Sequence, residues 1–225
     1  MSFCKDPLAS KIFTFTVVIA AVIFLSYHVP ERQMFSVPFF FFVLLHILLD
    51  QLDVPLPRGN SAVSVNFAVD LALIMLFGPT TAAWASLSTA LNVRTFKHFR
   101  ESWYKMLFNA SQMALATGLA GHAYLLSGGV NGRINLPYDI FPILVCTIVF
   151  FFINTTLVML AVTFSQNVSF VGVWLTSFKW SVPNYLSNCP LGVLIAAVFN
   201  SMGIPGILLL IVPLMVARHT FIMYM

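Results

Sequence analysis

Charge is what this chain has least of. Only 8% of its 225 residues are charged, while 60% are hydrophobic; ordinary soluble domains carry about 25% charged and about 45–50% apolar residues. So few ionised groups cannot cover a globule of this size in water, which leaves lipid as the surrounding solvent. Long polar stretches are missing as well, so no extramembrane domain is expected. With roughly 20 residues needed per crossing, the length allows about six to eight crossings and little else.

Cysteine is also scarce. Cys4, Cys146 and Cys189 form no CxxC, no paired framework and no metal spacing. Nothing therefore indicates an oxidising compartment or a metal site, and each cysteine reads as a small apolar filler. Enzyme motifs are absent: there is no HExxH, no GxSxG, no P-loop and no Gly-rich phosphate loop after a strand. No catalytic residue and no cofactor is expected. The triplets starting at Asn109, Asn154 and Asn167 match a glycosylation pattern, but they lie in or beside apolar segments and are discounted. The net charge of +4 comes without a basic face interleaved with exposed aromatics, so nucleic acid is not an expected partner.

What is present is a series of apolar segments. Spans are expected at about 11–28, 35–52, 62–77, 80–92, 106–126, 142–164, 183–199 and 204–217, forming an all-α, polytopic transmembrane helix bundle of six to eight spans within a single integral membrane domain. The first run follows Lys5 and Lys11 but lacks a small-x-small cleavage site, so it reads as a retained span. Segments 62–77 and 80–92 hinge at Gly78-Pro79 and reach only about 20–25 Å at 1.5 Å per residue; two thin crossings or a re-entrant hairpin fit equally. Phe170, Trp174 and Phe178 recur at helical spacing, which suggests a short helix over about 168–180 lying flat at the inner interface. With the N-terminus inside, only Arg32 and Arg133 of the 11 lysines and arginines fall outside. That asymmetry places both termini in the cytoplasm, with the protein in the cell's inner membrane.

The informative side chains are polar groups at membrane depth, where an ionisable residue costs roughly 2.5–3.5 kcal/mol on insertion scales. Asp70 is the clearest, with Asn66 four residues earlier on the same helical face. His46 and Asp50 are likewise four apart. Asn109 and Gln112 are three apart, and Asn184, Ser187 and Asn188 cluster near Pro183 and Pro190. His46, Asp50, Arg58, Asn66, Asp70, Asn109, Gln112 and Asn188 are the candidate ligand-binding set, lining one polar cavity. Plainer roles stand beside this one. Asp70 would pair with a loop cation such as Arg58, His46 with Asp50 would form an interhelical hydrogen bond, and the amides would act as helix–helix glue. Two small-residue stripes, Ala82/Ser86/Ala90 and Ala110/Ala114/Gly118, read as close-packing faces.

The order Leu56-Pro-Arg-Gly-Asn-Ser, Asn66 to Asp70, Gly78-Pro79, Phe108-Asn109-Ala-Ser-Gln112 and Ala217-Arg218 resembles the multi-span N-terminal membrane domain of bacterial HD-GYP and GGDEF cyclic-di-GMP signalling proteins. The resemblance runs from about residue 50 onward. It implies a sensor, or input, module that binds an unknown small ligand and regulates a cytoplasmic effector, as a homodimer if that effector is a paired enzyme. No HD pair and no GYP occurs in the chain, so it implies either a fragment or a free-standing relative, and no phosphodiesterase residue carries over. A weaker likeness is to the substrate-binding S-components of vitamin transporters, although Ala20 and Ala21 lack the docking face of those proteins. The alternatives are thus a transporter subunit and a ligand-free structural bundle.

Overall fold

A computed structural model of the chain describes residues 7–29, 36–50, 54–55, 62–63, 65–91 and 99–224. These residues are almost entirely helical. In order they form α1 (Leu8–Tyr27), α2 (Val37–Asp50), α3 (Asn66–Phe77), α4 (Pro79–Ser86) with a 3-10 turn Leu87–Leu91, α5 (Phe99–Leu126), α6 (Ile140–Gln166) and α7 (Phe170–Tyr224). A two-residue antiparallel pair, β1 (Val54–Pro55) with β2 (Ala62–Val63), closes the connection between α2 and α3. Among the described residues, three stretches are long and apolar enough to cross a bilayer: Leu8–Tyr27, Ile140–Gln166 and Ser181–Val212.

The packing inverts that of a soluble protein. Ile12, Val22, Phe40, Phe141, Leu175 and Leu209 each leave more than half their surface uncovered, whereas His46, Asp70, Ser86 and Thr117 are fully buried. Water would penalise so much apolar exterior. Lipid does not, and it instead drives polar side chains inward to partners on neighbouring helices.

The centre is α3. Every residue from Asn66 to Leu76 is buried, as a helix that is apolar around its whole circumference requires. At 12 residues it is about 18 Å long at 1.5 Å per residue. It packs against α7, α4, α2 and α5. Gly78, at φ 88°, reverses the chain in a conformation that a side chain would strain, and Pro79 opens α4 where its missing N–H costs nothing. The result is a helical hairpin with Asp70 and Ser86, each eight residues from Gly78, facing one another. Its tip meets the α5–α6 connection, where the Gly132 N–H donates to the Met75 carbonyl at 2.8 Å. The Ala110/Ala114/Gly118 stripe of α5 packs on α4 at Ala83, beside the expected Ala82/Ser86/Ala90 stripe: Ala83 and Ala114 share one buried cluster, and a Cβ on Gly118 would lie 3.2 Å from that of Ala83.

One segment departs from the expected layout. Residues 168–180 and 183–199 are not separate elements; a single helix begins at Phe170, runs through Pro183, and leaves helical geometry only at Gly203, at φ 64°. Two residues of the aromatic stripe pack on α6. Trp174 stacks on Phe152 with ring centroids 6.3 Å apart, and Phe178 meets Phe151 at 5.5 Å. Helix–helix packing thus uses the face that, read alone, suggests an amphipathic surface helix. Asn200 donates to the Gly132 carbonyl at 3.4 Å, so the kink lies beside the α5–α6 connection.

Candidate functional site

Two adjoining polar regions occupy the bundle, one helical turn apart. The deeper one centres on Asp70 of α3. Its Oδ1 accepts a 2.7 Å hydrogen bond from the Ser86 hydroxyl of α4 and lies 3.4 Å from Nε2 of His46 on α2. Ser86 has a single hydroxyl proton. With that proton given to the carboxylate, the 2.9 Å contact between Ser86 Oγ and Thr117 Oγ1 has the Thr117 hydroxyl of α5 donating. On the far side of the imidazole, Ser88 Oγ lies 3.0 Å from His46 Nδ1. A His46 tautomer carrying its proton on Nε2 points that proton at Asp70 and lets Nδ1 accept from Ser88.

Asp70 and His46 are both fully buried, and together they can form a unit of zero net charge, either as an ion pair or as two neutral groups. This is how a carboxylate is tolerated away from water. The closure is loose. At 3.4 Å the pair exceeds the 2.7–2.9 Å typical of a charge-assisted bond. Asp70 Oδ2 has no hydrogen-bond partner among the described residues. Four helices (α2, α3, α4 and α5) meet at a group with hydrogen-bonding capacity to spare.

The second region begins one turn away on both α2 and α3. Asn66 Nδ2 donates to Asp50 Oδ1 at 2.7 Å. Beside this bond lies a cavity of about 240 Å³. Its polar wall is made by Asp50, Asn66, Thr89, Asn109, Gln112, Asn154, Asn184 and Tyr185, and its apolar wall by Phe67, Met113 and Phe150. Asn154 donates to the Tyr185 hydroxyl. The Gln112 side-chain carbonyl is buried and without a hydrogen-bond partner among the described residues.

Most of the expected cavity set therefore converges, in two groups. Asp50, Asn66, Asn109 and Gln112 line the cavity, while His46 and Asp70 sit in the deeper network. Asn188 is one step removed, buried and donating to Asn184 Oδ1 at 2.8 Å. Ser187 turns away to bond the Asn184 carbonyl. Asn109 is exposed, at the rim shared with a second, larger groove lined by α1, α5 and α6, so it is not a deeply buried amide. Arg58 lies outside the described residues. His46 and Asp50 each reach across to other elements, His46 to Asp70 and Ser88 and Asp50 to Asn66.

Ser86, Ser88, Thr89, Thr117, Asn154 and Tyr185 are the polar members that reading the sequence missed. Ser86 had a usable signal: it mirrors Asp70 across Gly78. The others come together only through tertiary packing. A further pair lies toward the opposite end of the bundle, where Nε2 of His28 and Nε2 of His122 are 2.8 Å apart. His28 Nδ1 donates to the Phe24 carbonyl at 2.7 Å, so the neutral ring accepts at Nε2 from the Nε2–H of His122. Among the described residues no group of three or more His, Cys, Asp or Glu is arranged to hold a metal ion.

No curated protein and no solved structure matches the chain. The MASE9 family model matches residues 22–223, a stretch that includes α2, the α3–α4 hairpin and every described residue of the cavity and the network. On that match the chain belongs to MASE9, a family of membrane-associated sensory domains.

Proposed function

We propose that this chain is a multi-pass sensor of the bacterial inner membrane that regulates a cytoplasmic signalling output of the HD-GYP phosphodiesterase type, without catalysis of its own. The observation that carries the reading is the continuity between cavity and network. Asn66 and Asp50 face the cavity, and one turn further along the same helices Asp70 and His46 join four helices through a carboxylate that is not fully bonded. A ligand that accepts from the Asn66 amide or donates to the Asp50 carboxylate competes with the bond between them and changes the seating of α3. Since α3 packs along α7, the change reaches the helix that leads toward the C-terminus. An even number of passes keeps both termini on the cytoplasmic side, as the distribution of lysines and arginines requires.

Signalling of this kind needs two packings that the ligand binds unequally. A tenfold difference in affinity between them corresponds to about 1.4 kcal/mol, which is comparable to one rearranged buried hydrogen bond. The test joins the chain through its C-terminal helix to an HD-GYP phosphodiesterase in lipid vesicles and follows cyclic-di-GMP hydrolysis. Asp70→Asn and Asn109→Ala are each expected to shift the basal rate several-fold. Unchanged hydrolysis and unchanged thermal stability in both variants would remove this site from the mechanism.

A further inference from the structure

The larger groove, between α1, α5 and α6, differs from the cavity in both charge and position. It encloses about 540 Å³ where α1 and α5 begin and α6 ends, so that Ser10, Lys105 and Gln166 lie around one mouth. No aspartate or glutamate lines it among the described residues, and the one charge on its wall is the Lys105 ammonium. Further from that end the wall includes Phe108 of α5 with Val158 and Ala161 of α6.

Two hydroxyls on α1 face this space with nothing to bond. Ser10 and Thr14, four residues apart and so on one side of the helix, are only 7% and 5% exposed. Both line the groove. Neither hydroxyl has a hydrogen-bond partner among the described residues, and neither oxygen is sealed inside the protein. The little surface that each keeps therefore opens into the groove. Thr16, on the exposed side of the same helix, turns its hydroxyl back to the Ile12 carbonyl at 2.9 Å, as a threonine without an outside partner does. Thr14 does not. A buried hydroxyl left in this way costs free energy unless a partner arrives.

The mouth supplies the charge. Lys105 is exposed, and its Nζ lies 5.8 Å from the ring centroid of Tyr104, which is buried in the same wall. No carboxylate pairs with it among the described residues. Asn109 and Gln166, also exposed on the groove, add amide N–H donors. A cation and two unbonded hydroxyls with no opposing acid favour an anion. The apolar wall favours one that carries a hydrocarbon chain. Both α1 and α6 are long and apolar enough to cross a bilayer, and Ile12 and Phe15 of α1 are exposed, so a groove between these helices opens to lipid.

We infer that this groove seats an anionic phospholipid. Its phosphate lies at Lys105 and Ser10, its ester oxygens lie one turn deeper at Thr14, about 6 Å along α1, and an acyl chain starts along Phe108 and Val158. Basic pockets between spanning helices hold anionic headgroups in this manner. The orientation proposed above makes the leaflet the cytoplasmic one; the headgroup chemistry does not depend on it. A free anion gains nothing from the apolar wall, so the two sources of phosphate are separable.

The test titrates the full 225-residue chain in detergent with phosphatidylglycerol, with phosphatidylcholine of the same chains, or with inorganic phosphate. Thermal midpoint and the lipid retained in native mass spectrometry are the readouts. Phosphatidylglycerol is expected to stabilise at a concentration roughly fivefold lower than phosphatidylcholine, the preference that one lysine at an anionic headgroup supplies. Lys105→Gln is expected to bring the two lipids level, and Lys105→Arg to restore the preference. Thr14→Val is expected to weaken both lipids about threefold, the scale of one hydrogen bond, with the lipid-free midpoint unchanged. It gives a second reading should the Lys105 variant fold poorly. Arg133→Gln, in the α5–α6 connection at the opposite end, is expected to leave the preference intact. Equal stabilisation by the two lipids, a preference that survives Lys105→Gln, its loss in Arg133→Gln, or equal stabilisation by inorganic phosphate alone overturns the inference.

Discussion

The two polar regions share α2 and α3 and differ by one helical turn, yet they are built from opposite materials. Around Asp70 the partners are short: two serines, a threonine and an imidazole, each seated against the next at 2.7–3.4 Å. Around Asp50 they are long amides and aromatic rings that leave a space of about 240 Å³. Short hydroxyls close the gap between helices and let backbones approach, as the small-residue faces of α4 and α5 do nearby. Long side chains hold helices apart. The contrast teaches that a close-packed layer and an open one lie about 5–6 Å apart along the same face, and under the proposed function the first holds the helices together while the second receives the ligand.

That division of labour implies unequal consequences for two aspartates. Asp70→Ala strips the buried partner from His46 and Ser86 at once, and breaking a buried pair in this way costs about 3–5 kcal/mol. Asp50→Asn preserves an acceptor for Asn66 at the edge of a cavity, and is expected to cost about 1 kcal/mol or less, on the scale of one ordinary hydrogen bond. Thermal or denaturant unfolding of the two variants in the same detergent measures the gap. Similar midpoints would show that Asp70 is not the structural centre of the bundle.

A second way to break the comparison leaves both regions chemically intact and alters the helix that backs them. A Cβ at Gly192 of α7 would lie 2.7 Å from the Ala68 carbonyl and 3.1 Å from Leu71 Cβ, so α7 approaches α3 there as closely as backbone allows. Gly192→Ala must push the two helices apart, and overpacking of this sort costs about 1–3 kcal/mol. If α3 carries the signal to α7, the variant also uncouples ligand binding from the output of a joined phosphodiesterase. Lowered stability with coupling retained would locate the signal path elsewhere.

Much of this arrangement was legible in the sequence. Apolar runs and scarce charge lead directly to an apolar-surfaced helical bundle. Four-residue spacing placed Asn66 with Asp70 and His46 with Asp50 on common helical faces. What could not be read was which face meets which. The His46 ring turns to Asp70, twenty-four residues along the chain and outside the reach of local spacing rules, because the α3–α4 hairpin inserts at the centre. Ser86 looked like one more small residue in a packing stripe, since alanine, serine and glycine serve alike in that role. The contacts of the stripe through Phe170–Phe178 were not legible because aromatic periodicity is the same for a lipid interface and for a neighbouring helix; the positions of Phe151 and Phe152 show the packing on α6.

The smallest expected effect on stability is also the sharpest probe of the cavity. Gln112 is a buried amide on α5 whose carbonyl has no partner among the described residues, beside a space large enough to hold a ligand. In a purely structural bundle such a group is a defect, and Gln112→Leu removes it at nearly constant volume. Replacing an unsatisfied polar group by an apolar one of similar shape is close to neutral or slightly stabilising. The thermal midpoint is therefore expected to stay level or rise. A clear loss of stability in Gln112→Leu would mean that the amide is bonded within the folded chain, and that the empty acceptor does not exist.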